Sequence, residues 1–296
     1  MTSPILTTPP RPYSLAQLMA LPYHPAQMVR LAAATGCAAA GVRLLPTTPG
    51  GLAHDLMHDA ALLREALAAI RDTGVGILDL EVVRLNAGYR PDDYLAFLEV
   101  GQQLGARHVL VAGDDPDEAR LTASYASLCE LAARHDLSAD LEFMPWTAVA
   151  NLGSAQRIVA AADQPNAAVL VDALHFGRSA SRLGELAGWP RSRLNYAQIC
   201  DGRVPAPLDS ASLIHDARCE RLLPGEGGID LVSLFACLPA DLTISIEVPS
   251  DSHAPAMGYT AWARQAVTAT DAVLARAAAL RAQLPAPDDT AAGAGA

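Results

Sequence analysis

Eight short apolar runs, each followed by a stretch with helical spacing, recur along the chain at near-constant intervals, and this alternation leaves few folds open. Runs at 14–20, 38–45, 75–83, 108–112, 138–143, 167–171, 194–200 and 242–248 read as strands. Helices are expected over 25–35, 59–72, 91–104, 117–135, 154–163, 179–187, 229–238 and 260–284, with Gly36, Gly74 and Gly105 placed to end three of them. Strands joined by helical crossovers run parallel, and their continuous apolar character implies cover on both faces. Eight such units predict an α/β chain folded as one (β/α)8 TIM barrel over 1–284, since such a barrel fills roughly 250 residues as a single domain. An open doubly wound sheet fits less well, because no GxGxxG follows the first run and polar residues collect at many strand ends rather than at one crevice. The segment 201–228 is rich in Pro, Gly, Arg and charge and too long for an ordinary connection, so it is expected to be a functional loop. The tail 285–296 holds Pro, Asp, Ala and Gly and is expected to be disordered.

The 296 residues contain no Lys, so every side-chain cation other than His is an Arg. That excludes Schiff-base aldolases, pyridoxal phosphate lysines and P-loop lysines. A net charge of −11 and a pI near 5.1 argue against nucleic acid as a partner, since an acidic surface repels it. Cys37, Cys129, Cys200, Cys219 and Cys237 show no CxxC spacing and read as free, mostly buried thiols; Cys200, although close to the strand ends, reads as packing. No run approaches the ~18 apolar residues of a membrane span. The first 13 residues lack a charged head and apolar stretch, so the expectation is a cytoplasmic protein acting on a small molecule, with homo-oligomerisation left open.

Four of the later runs deliver an oxygen-bearing side chain at the strand end. They are Glu142 in Leu141-Glu142-Phe143-Met144-Pro145-Trp146, Asp172 after Val171, Gln198 after Ala197, and Glu247 after Ile246. Any one Glu taken alone is as readily structural as functional. In a barrel, however, the strand C-termini converge on one mouth, and like charges crowded there raise one another's pKa unless a cation intervenes. An all-oxygen set suits one Mn²⁺, Mg²⁺ or Co²⁺ better than Zn²⁺. Such an ion could polarise the carbonyl of a polyhydroxylated compound while a neighbouring carboxylate moves the acidified proton.

The segments LEFMPW, LVDALHFGRS, YAQICDG, RLLPGEGGIDL and ISIEVPS resemble the xylose isomerase-like TIM barrel superfamily, in particular its bacterial sugar phosphate isomerase/epimerase members, over about 36–278. The resemblance implies that Glu142, Asp172 and Glu247 are metal carboxylates, with Gln198 standing where many members have His. It implies that Glu142 and Glu247 also shuttle the proton, and that His175 contacts substrate and takes part in catalysis. Arg221, before Pro224-Gly225-Glu226-Gly227, resembles a substrate-side Arg able to grip a carboxylate or phosphate, and Trp146 is a candidate pocket wall. Arg203 and Arg218 are weaker candidates in the same loop, Asp201 could brace Gln198 or cap the loop, and His24 could reach the mouth. The expected activity is isomerisation or epimerisation of a small polyhydroxylated keto compound. The superfamily also contains 3-dehydroshikimate-type dehydratases and endonucleases; the latter would need more His ligands and a cationic face.

Overall fold

In the computed structural model, which describes residues 11–48 and 50–283, eight parallel strands pair in sequence order and close between the last and the first. The order is β1 (Arg11–Leu15), α1 (Pro25–Thr35), β2 (Cys37–Arg43), α2 (Ala60–Thr73), β3 (Gly76–Leu85), α3 (Leu95–Leu104), β4 (His108–Gly113) and α4 (Glu118–Ala133). It continues with β5 (Ser138–Glu142), α5 (Leu152–Ala162), β6 (Ala167–Asp172), α6 (Ala173–Arg178), β7 (Tyr196–Ile199), α7 (Ser210–Cys219), α8 (Leu231–Cys237), β8 (Thr243–Ile246), α9 (His253–Met257) and α10 (Tyr259–Arg281). The predicted single (β/α)8 barrel is therefore present. The 285–296 tail lies outside the described residues.

Local chemistry sets most element boundaries. Asp59 accepts from the backbone of Ala61 and Leu62 at 3.0 and 2.9 Å to start α2, and Asp117, Asp209 and Asp230 cap α4, α7 and α8 in the same way. Gly36 ends α1 with a left-handed φ of 74°, which a residue with a Cβ adopts at a cost.

Three expectations shift. The chain from Gln17 to Ala20 is a 3-10 turn rather than strand, because the Gln17 amide donates to Glu81 and its side chain holds the carbonyl of Tyr23 at 2.8 Å. The sixth helix starts at once after β6 instead of near 179: Asp172 ends the strand and also accepts from the His175 amide at 3.0 Å as the N-cap of α6. The long segment 201–228 contains α7, so it is a helical insertion after β7 rather than a plain loop.

Packing divides into a sheath and an interior. The sheath between strands and helices is apolar throughout, and the buried Tyr125 hydroxyl is satisfied by donating to the carbonyl of Ala139 at 2.7 Å. The interior is more polar than the branched aliphatic filling usual for such barrels. Ser14, Ser245, Gln198 and Asp172 lie in register on β1, β8, β7 and β6, all fully buried. Asp79 also lies inside, against β2, where a Cβ on Gly41 would come within 2.8 Å of its Oδ1. This glycine is required by close approach.

Candidate active site

Parallel closure carries the end of every strand to one rim. Glu142 ends β5, Asp172 ends β6, Gln198 sits in β7 beside Asp172, and Glu247 follows β8 directly, all of them buried. Glu142 and Glu247 line one mouth cavity together with His175, Trp146, Arg218 and Arg221. Asp172 lies within ligating reach of Glu142 and His175, Glu247 is joined to Asp172 through Arg221, and Gln198 stands in register with Asp172.

Arg221 dominates the electrostatics. Its guanidinium is buried and reaches Asp172 Oδ2 at 2.5 Å, Glu247 Oε2 at 2.7 Å, the carbonyl of Ala217 at 2.8 Å and Cys200 Sγ at 3.3 Å. Burial opposes the charge on Asp172, yet Arg221 and His175 beside it hold the carboxyl below its usual range. Glu142 goes the other way: burial, and then the charges of Asp172 and Glu247, push it well above the ordinary value. Burial also raises Glu247, to about 8, against the pull of Arg221. The Cys200 thiol is pushed up to about 12 by burial, which keeps it a protonated packing group.

His175 packs edge-on against Trp146, with ring centroids 5.1 Å apart, and its Nε2 lies 3.8 Å from Glu142 Oε1. Burial pulls its pKa down to about 4, so the ring is neutral near pH 7. A neutral imidazole is the form that can donate a lone pair.

A divalent cation is implied by the superfamily resemblance, and the residues present fit one. Glu142, Asp172 and His175 each offer an atom within 4.8 Å of the others. Among the described residues, neither amide atom of the buried Gln198 and not the Nδ1 of His175 has a hydrogen-bond partner. Buried polar atoms left unpaired cost free energy, so a site that leaves them so beside three carboxylates is suited to a ligand. Carboxylate oxygens with one imidazole in reach make a donor set that suits a divalent cation.

Other candidates fall into place individually. Asp201 accepts from the amides of Gly202, Gly225 and Ile229 at 2.8, 3.0 and 3.1 Å, and so staples the loop after Arg221. Arg203 pairs with Asp216 at 3.2 Å, and His24 lies 3.8 Å from Glu65. Sequence reasoning missed the ion pair of Arg43 with Glu81, in which Arg43 Nε and Nη2 reach one carboxylate oxygen at 3.1 and 2.6 Å on the cavity wall. The available signal was the acid at alternate positions, Asp79 and Glu81, inside the apolar run of β3.

Comparison with known proteins gives a family model described as xylose isomerase-like TIM barrel, which matches residues 29–273. A 3-dehydroshikimate dehydratase from Pseudomonas aeruginosa is 28% identical over 214 residues, which are 67% of this chain. The match spans about a third (33%) of that relative's length. Among solved structures, the IolI protein with a bound zinc atom superposes with a TM-score of 0.74 at 17% identity, covering 89% of this chain and 98% of that one. D-psicose 3-epimerase with D-tagatose, from Clostridium cellulolyticum, gives a TM-score of 0.66 at 13% identity over 88% of this chain and 99% of its own. At these identities the superpositions establish the fold. Among the described residues no helix is long and apolar enough to cross a membrane.

Proposed function

Because the chain belongs to the xylose isomerase-like TIM barrel family, we propose that it is a divalent-metal-dependent enzyme that removes the proton beside the carbonyl of a small polyhydroxylated keto compound and returns it elsewhere, as an isomerase or epimerase. The observation that carries this reading is the pair Glu142 and Glu247. Both carboxyls are buried and line one cavity, and burial holds both above their ordinary range, which favours the protonated form a proton carrier must be able to take. Glu142 ends β5 and Glu247 directly follows β8, on either side of Asp172 on β6 and Gln198 on β7.

A cation held by Glu142 and Asp172, with His175 in reach and Gln198 and Glu247 beside them, would polarise the substrate carbonyl and acidify the adjacent C–H. The protein residues do the rest. One glutamate accepts the proton from carbon; for an epimer the other glutamate gives a proton to the opposite face of that carbon, and for an isomer the first gives its proton to the neighbouring carbon while the hydroxyl proton passes to the former carbonyl oxygen. Arg221 keeps Asp172 charged and fixes both Asp172 and Glu247 in place by holding them. Trp146 and Met144 shield the cavity from water, which strengthens every charge interaction inside it.

A dehydratase is the second reading, favoured by the 28% identity to a 3-dehydroshikimate dehydratase. In that case the same proton abstraction is followed by loss of a β-hydroxyl, and His175, 3.8 Å from Glu142, passes the proton to the departing oxygen. Proton NMR in D₂O of metal-loaded protein with keto sugars and 3-dehydroshikimate separates the two. Deuterium uptake without a new unsaturated product supports isomerisation, and new vinylic or aromatic signals support elimination. Full activity retained in both Glu142→Gln and Glu247→Gln would overturn the assignment of the proton carriers.

A further inference from the structure

The mouth holds guanidinium donors that its carboxylates do not use. Every donor nitrogen of Arg221 is directed to a protein acceptor, and Arg43 is forked onto Glu81. Two other arginines line the same cavity under different conditions. Arg218, in the last turn of α7 and half-buried, has no carboxylate within ion-pair distance among the described residues. Arg84 pairs with Asp114 through Nη1, yet its Nε is buried without an acceptor.

Their charges also work against each other. Burial lowers the pKa of Arg84, and the nearby Arg218 lowers it further; burial likewise lowers Arg218, with Arg43 adding to the effect. Four guanidiniums line the cavity and face five carboxylates, Glu81, Glu142, Asp172 and Glu247 with Asp114 on Arg84, so a bound divalent cation leaves the mouth with one surplus positive charge. An oxyanion arriving with the substrate removes that surplus and takes up the idle donors in a geometry guanidinium forks favour.

We propose that Arg84 and Arg218 form an anion subsite in the mouth, which takes a carboxylate or phosphate on the substrate while the polyhydroxylated end meets Glu142 and Glu247. This inference rests on the reading of the mouth as a metal-assisted substrate site. It separates the chain from enzymes built for neutral ketoses: the preferred substrate carries a negative charge.

The test uses Mn²⁺-loaded full-length protein and calorimetric titration with D-tagatose, D-tagatose 6-phosphate and D-tagaturonate, which present the same kind of polyhydroxylated ketone with a neutral, phosphate or carboxylate end. At least one anionic probe should bind tenfold or more tighter than D-tagatose, and the tighter of the two identifies the anion. Arg218→Gln should erase most of that advantage, roughly tenfold to a hundredfold, and leave D-tagatose affinity and Mn²⁺ content as in the parent. Arg218→Lys should keep part of it, and Arg84→Gln should repeat the loss. Anionic probes that bind no tighter than D-tagatose to the parent would overturn the subsite, as would an Arg218→Gln variant that weakens all three alike. Anionic binding that survives EDTA treatment undiminished would leave the subsite standing and refute the metal-assisted site.

Discussion

Arg221 Nη1 stands 2.5 Å from Asp172 Oδ2, which ties the helical insertion after β7 to the end of β6 at full burial. One guanidinium thereby neutralises two of the carboxylates that crowd the rim, because its Nη2 also reaches Glu247 at 2.7 Å. Removing it leaves Asp172 a buried anion without its cation and Glu247 without its donor. Arg221→Gln should destabilise metal-free protein by ~3–5 kcal/mol, and excess Mn²⁺ should recover part of the loss by binding only the folded form. Urea unfolding with and without Mn²⁺ measures both effects, and a variant as stable as the parent without metal would contradict the pairing.

The rim also sets a pH dependence. Glu247, raised from 4.5 to about 8, contributes stability that is fully present below about pH 4.5 and is lost as the pH rises through 8. His175, lowered from 6.5 to about 4, acts in the opposite direction: its contribution is present above 6.5 and is lost as the pH falls toward 4. Metal-free protein should therefore lose stability on both limbs. A bound cation replaces the proton on the carboxylates, so the basic limb should flatten in Mn²⁺-loaded protein. Thermal melts from pH 5 to 9 with EDTA or Mn²⁺ check this, and basic limbs of equal slope would count against metal at the rim.

Gln198 discriminates ligand from filler. Its amide is buried beside Asp172, with neither polar atom partnered among the described residues. Gln198→Leu should leave metal-free stability unchanged or raise it by about 1 kcal/mol, since it removes an unpaired buried amide, while metal affinity drops tenfold or more. Gln198→His should keep the fold and shift preference toward Zn²⁺ and Ni²⁺, which gain most from nitrogen donors. Identical metal titrations for parent and both variants would remove Gln198 from the site.

Asp201 should prove structural. Its three accepted amide hydrogen bonds hold the turn that follows Arg221, and a Cβ on Gly227 would lie 2.2 Å from its Oδ1. Asp201→Ala and Gly227→Ala should each lower stability, by ~1–3 kcal/mol for the first through its unsatisfied amides. Gly227→Ala forces the turn itself to move. Melting temperatures equal to the parent's would refute the staple.

The barrel was legible because strand and helix periods differ and repeat eight times, and because Asp and Gly at helix ends mark boundaries locally. Glu142, Asp172, Gln198 and Glu247 were legible because each closes an apolar run, and parallel closure brings such ends together. What stayed hidden depends on contacts between distant segments. No spacing reveals that Arg221 is consumed by Asp172 and Glu247, or that Arg43 folds onto Glu81 across two strands. The early start of α6 was missed because Asp172 serves two roles at once, as strand end and as helix cap.

The central claim is that this mouth uses a metal to move a proton beside a carbonyl. Its most direct test follows deuterium entering the carbon next to the carbonyl, by NMR in D₂O, with D-tagatose, D-tagaturonate and 3-dehydroshikimate offered to Mn²⁺-loaded and EDTA-stripped protein. The account predicts exchange or conversion of at least one compound by the loaded protein, abolished by EDTA and reduced at least a hundredfold in Glu142→Gln. Turnover that persists undiminished after the metal is stripped, or loaded protein that exchanges no proton on any of the three, would contradict it.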